Sequence, residues 1–210
     1  EAFIPEDRRS ALAAGRSLPA RTEGAALFAD ISGFTPLTEA LARRLGPRRG
    51  AEVLTEQLNL VYSALINAVE SWRGSVIGFS GDAITCWFDA GPYADDSPAP
   101  SRTLAAAQAA LAATHCALAM QTAMAHFAQL TLPGGVQASL ALKIAIVCGP
   151  VSRLQAGEPS IQLIDLLAGG TLDTLAEAEH VAEQGDIVVD LPALAALGGA
   201  YGVRERRTGA

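Results

Sequence analysis

The sequence predicts an α+β domain, a mixed and mainly antiparallel sheet with helices packed on it. Three observations predict it. Apolar runs and turn residues alternate so that the elements read β-α-α-β-β-α-β-β-α-β, an order that mixes hairpins with helical crossovers. Residues 51–72 carry Leu54, Leu58, Val61, Leu65 and Val69 at steps of three and four, the apolar stripe of a helix laid on a core. Half of the 210 residues are hydrophobic, enough to fill one core of this size.

In chain order, residues 1–22 hold scattered charges, Pro5 and Pro19, and a short helical possibility at 8–14; they read as an arm. Residues 23–190 form the domain, and 191–210 a polar tail with a short helix. The opening strand, 25–29, runs into Asp30, and Ser32-Gly33 makes a small-residue turn. Thr35 suits a helix N-cap and Pro36 the first helical position, where a missing N–H breaks no bond; that helix runs to 44. A Gly/Pro/Arg linker, 45–50, leads to the helix 51–72, which Gly74 stops. Runs 75–79 and 83–88 flank Ser80-Gly81-Asp82 as a β-hairpin. A Pro/Asp/Ser loop, 89–101, ends on Ser101, a cap for the Ala-rich helix 102–127. Gly134-Gly135 opens the strand 138–148, and Gly149-Pro150 turns it back into 151–155 as a second hairpin. An apolar run at 161–167, a helix at 172–182, a turn at Gln184-Gly185 and a short strand at 186–190 complete the domain, with no internal repeat.

Composition narrows the partners. A formal charge of −7 without any Lys/Arg cluster argues against nucleic acid or an anionic membrane surface, and a polyanionic substrate then needs metal ions. Cys86, Cys116 and Cys148 are odd in number and far apart, so neither a disulfide framework nor a zinc site is expected, and a reducing, cytoplasmic setting is. No run approaches eighteen uninterrupted apolar residues, and Glu1, Glu6 and Asp7 do not suit a targeting segment. The first residue is Glu rather than Met, which suggests a piece of a longer or processed chain.

The chemistry-bearing residues are two acids. Asp30 ends a strand beside a turn that aims backbone N–H groups from a helix N-terminus, an arrangement that favours phosphate and a divalent cation shared with it. Asp82 sits at a hairpin tip, and if the two strands are neighbours the carboxylates converge. Two carboxylates can hold a pair of magnesium ions for in-line phosphoryl displacement. An Asp at a strand end or tip is also an ordinary turn or cap residue, so position alone leaves both readings open.

The motifs F-A-D-I-S-G-F-T at 28–35 and F-S-G-D-A-I at 79–84 resemble the two metal motifs of class III nucleotidyl cyclases, the adenylate and guanylate cyclases. The resemblance runs in motif order over roughly residues 23–190, and is greatest to the first cyclase domain of the soluble, bicarbonate-responsive type. It implies the ferredoxin-like cyclase homology fold, with Asp30, Asp82 and the Ile31 carbonyl on two Mg²⁺ or Mn²⁺ ions and Ser32, Gly33, Phe34 and Thr35 near the phosphates of ATP. It further implies a second cyclase domain, paired head to tail, to complete the site.

The family's other machinery is where the chain departs. Its base-recognising Lys lies four positions before the second metal Asp, and Gly78 stands there. Its Asn and, four residues on, its Arg align with Asp173 and Glu177. An anion in place of a cation beside a triphosphate costs on the order of a few kcal/mol per contact at intermediate dielectric. The chain alone is therefore expected to be inactive or very weak. Two functions follow: the metal-bearing half of an adenylate cyclase, or a degenerate cyclase-homology module that binds nucleotide or dimerises and regulates an attached effector. His115, His126 and His180 have no partner at ligand spacing and receive no role; Trp72 and Trp87 read as core or interface aromatics, Cys86 and Cys148 as inert buried thiols, and Arg153 as an exposed strand residue.

Overall fold

The computed structural model describes residues 3–92 and 99–207. In chain order they form α1 (Glu6–Ala13), β1 (Arg21–Ser32), α2 (Phe34–Leu45), α3 (Pro47–Ser71), β2 (Ser75–Ser80), β3 (Ala83–Pro92), α4 (Ala99–Met124), β4 (Leu130–Leu132), β5 (Val136–Ala138), β6 (Ala141–Glu158), β7 (Gln162–Ala168), α5 (Gly170–His180), β8 (Ile187–Val189) and α6 (Leu191–Ala196). The main sheet runs β2-β3-β1-β6-β7, all antiparallel, with β8 parallel to β6 at Ile144–Ile146; β4 and β5 pair as a separate ribbon. The expected fold class is the one found, a mainly antiparallel α+β sheet with helices on it.

β1 is central because it can be buried on both faces. Ala25, Leu27, Ala29 and Ile31 are wholly buried and share a core with Leu37 and Leu41 of α2, Val61, Leu65 and Val69 of α3, and Ala113, Ala117 and Met120 of α4. Of the predicted α3 stripe, Leu54 and Leu58 are partly buried at the same core. The alternate residue Ala26 packs with Trp87, Ala145 and Val147 under Leu175 of α5. Period two in the strand thus divides three helices from one. Residues 103–127 are long and apolar enough to cross a membrane by length and composition, yet α4 lies against β1, β3 and β6 with Ala110, Cys116 and Met120 buried, as a core helix does.

Several boundaries differ from expectation. The linker 45–50 is largely helical: Gly46, at φ 81°, precedes α3, and Pro47 takes its first position. Ser101 lies inside α4 rather than capping it, and residues 93–98 of the predicted loop lie outside the described residues. The strand expected from 138 starts at Ala141, because Ala138 belongs to β5.

Gly149-Pro150 does not turn the chain. β6 runs straight through it, with Gly149 opposite Gly24 and Pro150 opposite Glu23, and the hairpin forms later, between β6 and β7. On its other edge β6 pairs with β8 up to Ile146 and with β7 from Ser152. Pro150 falls in the gap between them, where its missing N–H costs no ladder bond, and its carbonyl there accepts from Thr171 Oγ1 at 2.6 Å.

Arg153 is not exposed either. It is 6% exposed, its Nη1 lies 2.5 Å from Asp7 Oδ2, and its backbone N–H donates to Ala20. Arg8 pairs with Asp165 of β7, and the Asp7 N–H donates to Ser75 Oγ of β2, so α1 is held across both ends of the sheet.

Candidate functional site

Asp30 and Asp82 approach through the β1–β3 register. Asp30 pairs with Ala83, the residue that follows Asp82, and this is the last rung of that ladder. Beyond it, Ile31 and Ser32 keep β6 as a partner, opposite Leu142 and Ala141, while the edge towards β3 is free. Ile31 is wholly buried and Ser32 partly exposed. Asp82 itself is exposed at the tip. Tyr62 of α3 donates to the Gly81 carbonyl at 3.2 Å, and Phe79 packs edge-on to Tyr62 and Phe3 at 5.4 and 5.5 Å, so the tip is anchored on both sides. Burial and the Asp82 charge hold the Tyr62 hydroxyl above its ordinary pKa, which keeps it a donor.

The turn after β1 differs in detail from expectation. Gly33, not Thr35, takes the N-cap position of α2, with φ 104°, and Thr35 and Pro36 lie inside the first turn. A Cβ at Gly33 would stand 2.3 Å from the Ser139 carbonyl oxygen, so glycine is demanded by both conformation and space. No side chain caps α2, and the first intrahelical bond is from Leu37 N–H to the Gly33 carbonyl. Phe34 and Thr35 N–H groups therefore have no partner within the helix, and face the anion-attracting end of its dipole.

Electrostatics brings in residues that the sequence reading passed over. Lys143 sits opposite Asp30 in the β1–β6 register, with Nζ 3.4 Å from Asp30 Oδ2 and 2.5 Å from Glu179 Oε1 of α5. The Glu179 hydrogen bond, with the two negative charges, holds the ammonium above its ordinary pKa against the opposing effect of burial. One signal was available: Lys143 is the only lysine in the chain. Its pairing was not, because register across two strands is a tertiary property.

The positions that depart from the family motifs lie elsewhere on the same frame. Gly78 is in β2 beside a register irregularity, and no atom lies within 4 Å of where its Cβ would be. Asp173 and Glu177 are exposed on α5, Asp173 in the first turn, where an acid suits the helix dipole. Neither supplies a cation. Cys116 and Cys148 are pushed up to about 12 by burial and Cys86 well above its ordinary value, consistent with unreactive thiols. Trp87 is buried, donating to Asp89 at 3.0 Å, and Trp72 stacks on His115 with centroids 4.6 Å apart.

The carboxylates of Asp30 and Asp82 are hard oxygen donors, of the kind that would suit Mg²⁺ or Mn²⁺ rather than a softer metal. Among the described residues no three His, Cys, Asp or Glu side chains converge.

No protein-family model matches the chain. A segment of 62 residues, 30% of the chain, is 42% identical to adenylate cyclase type 10 of Rattus norvegicus and spans 4% of that protein's length. The chain superposes on the adenylyl cyclase CyaB from P. aeruginosa with a TM-score of 0.56 at 22% identity, over 85% of this chain and 81% of that one. On the guanylyl cyclase Cya2 the TM-score is 0.67 at 21% identity, over 91% of this chain and 86% of that one.

Proposed function

From a chain with the fold of the class III nucleotidyl cyclase catalytic domain, we propose the metal-bearing half of an adenylate cyclase, with residues 23–190 as the cyclase homology domain. Paired head to tail with a complementary cyclase domain, it forms cyclic AMP and pyrophosphate from ATP in the cytoplasm, with neither nucleic acid nor membrane as partner. The observation that supports this reading is the register that sets Asp82 beside Asp30 at the free end of β1, next to an uncapped helix N-terminus. The 62-residue likeness to adenylate cyclase type 10 favours adenine over guanine.

Asp30, Asp82 and the Ile31 carbonyl would hold two Mg²⁺ or Mn²⁺ ions, which supply Lewis-acid activation of the ribose 3′-hydroxyl and neutralise the departing pyrophosphate. Phe34 and Thr35 N–H groups donate to phosphate oxygens, the Ser32 hydroxyl lies at the same turn, and Gly33 lets the backbone come close. The bond from the 3′-oxygen to the α-phosphorus forms as the bond to the pyrophosphate oxygen breaks, and the 3′-hydroxyl proton passes to water. Base recognition and the transition-state cation come from the partner, because Gly78, Asp173 and Glu177 cannot provide them. The β6–β7 hairpin offers that partner an apolar surface: Leu154, Ile161, Leu163, Ile164 and Leu166 are exposed, Ile161 by 83%.

The same three positions favour a second reading, a degenerate module that binds nucleotide or dimerises and regulates an attached effector. Cyclic nucleotide is measured from the purified chain alone and mixed with a cyclase domain that carries Lys, Asn and Arg, with ATP or GTP and Mg²⁺ or Mn²⁺. The enzyme reading expects little product alone and cyclic AMP on mixing, lost in Asp30→Asn. Metal-dependent nucleotide binding without product in any mixture selects the module. Robust turnover by the chain alone overturns the assignment of Gly78, Asp173 and Glu177.

A further inference from the structure

Lys143 Nζ stands between two carboxylates, 2.5 Å from Glu179 Oε1 and 3.4 Å from Asp30 Oδ2, and each of the three side chains is 25% exposed. We propose that Glu179 is the positioning residue of the metal site: it draws the Lys143 ammonium off Asp30 and so keeps the Asp30 carboxylate open to a divalent cation. Lys143 is then a built-in counter-ion, shared while the site is free of metal and passed wholly to Glu179 when a cation arrives. This rests on the reading of Asp30 as a metal ligand.

The geometry supplies the reasons. Asp30 and Lys143 are direct partners across the β1–β6 ladder, which keeps their Cβ atoms close whatever the side chains do. A group off the sheet can pull the ammonium away, and Glu179 reaches down from the last turn of α5 to do so. The contact to Glu179 is already the shorter one, a charge-assisted hydrogen bond, while that to Asp30 is loose. Near a helix C-terminus a carboxylate meets the negative end of the dipole, so Glu179 gains nothing from its own helix and needs the cation. Charge agrees: Asp30, Asp82 and Glu179 against Lys143 leave −2, a net attraction for divalent cations that a neutral residue at 179 would cut to −1.

A simple tether between α5 and β6 would use the same contact, and the test separates the two. Mn²⁺ alone is titrated by calorimetry into the whole chain and into Glu179→Gln, Lys143→Met, the double variant and Asp30→Asn, each checked for folding by circular dichroism. Glu179→Gln should weaken Mn²⁺ binding by about tenfold, in the range of groups that orient a metal ligand. Lys143→Met should bind more tightly than the parent, and Glu179→Gln should lose its effect in that background, since there is no ammonium left to hold. As a second readout, ¹³C-methylation of the chain's only lysine gives a resonance for Lys143 that should shift with Mg²⁺ in the parent and not in Asp30→Asn.

Parent-like binding by Glu179→Gln, or an equal loss in both backgrounds, overturns the proposal. If Glu179→Gln does not fold, Lys143→Met decides: tighter binding supports it, and unchanged or weaker binding overturns it. Loss in Asp30→Asn without a Glu179 effect rejects this inference alone, whereas parent-like binding by Asp30→Asn rejects the metal site itself.

Discussion

On one face of β1, Ala25, Leu27, Ala29 and Ile31 are wholly buried beneath three helices; on the other, Ala26, Phe28 and Asp30 pass from buried to a quarter exposed beneath α5. The same twelve residues serve both faces. The closed face has apolar partners at every step, so a change there is paid in stability. The half-open face ends in a carboxylate and a lysine, so a change there should register in binding and leave the fold nearly as it was. The contrast teaches that a central strand can separate folding from chemistry by side-chain parity alone.

Four substitutions test that separation, from the largest expected effect to the smallest. Leu27→Ala, on the closed face, should cost about 2–5 kcal/mol in urea unfolding, as buried leucine truncations do. A cost below about 1 kcal/mol would mean that the helices are not packed on this face as described. Asp30→Asn, three residues on and facing the other way, should leave the unfolding midpoint nearly unchanged while lowering cyclic AMP formation by the paired domains on the order of 100-fold. Equal losses of stability and activity would erase the distinction between the faces.

Gly33→Ala joins the two effects, because its positive φ and the Ser139 carbonyl both oppose a side chain. It should destabilise by about 1–3 kcal/mol and weaken binding of an ATP analogue, read by thermal melting and calorimetry. Gly78→Lys is the mildest: open space around that position keeps the stability change within about 0.5 kcal/mol. Its effect should instead be to strengthen ATP-analogue binding in a dimer of the chain, and no change in affinity would show that β2 does not face the partner's nucleotide.

What could be read in advance follows from how local each cue is. The strand–turn–helix around Asp30, the α3 stripe and the β2–β3 hairpin depend on neighbours within a few residues, and all three are present. Gly149-Pro150 misled because a turn-forming pair and a proline set in a gap between two edge partners look alike in sequence; only β8 and β7 distinguish them. Arg153 misled for a related reason. Its counter-ion, Asp7, is 146 residues away, and an arginine whose partner is that remote reads as exposed. At the site, the two acids were legible as motifs, while Lys143 and Glu179 were not, since neither belongs to a motif and each matters only through the other and Asp30.

By itself the sequence determined the fold class, the order of the elements around β1 and the two acidic motifs, because periodicity, turn chemistry and motif spacing act over short stretches of chain. Tertiary structure alone decided that Asp82 comes to rest beside the partner of Asp30, that β6 runs unbroken past a proline, and that a solitary lysine is shared between two carboxylates. Those outcomes depend on strand register and on α5 crossing the sheet, and register is set by how whole faces bury together rather than by any residue's neighbours in the chain.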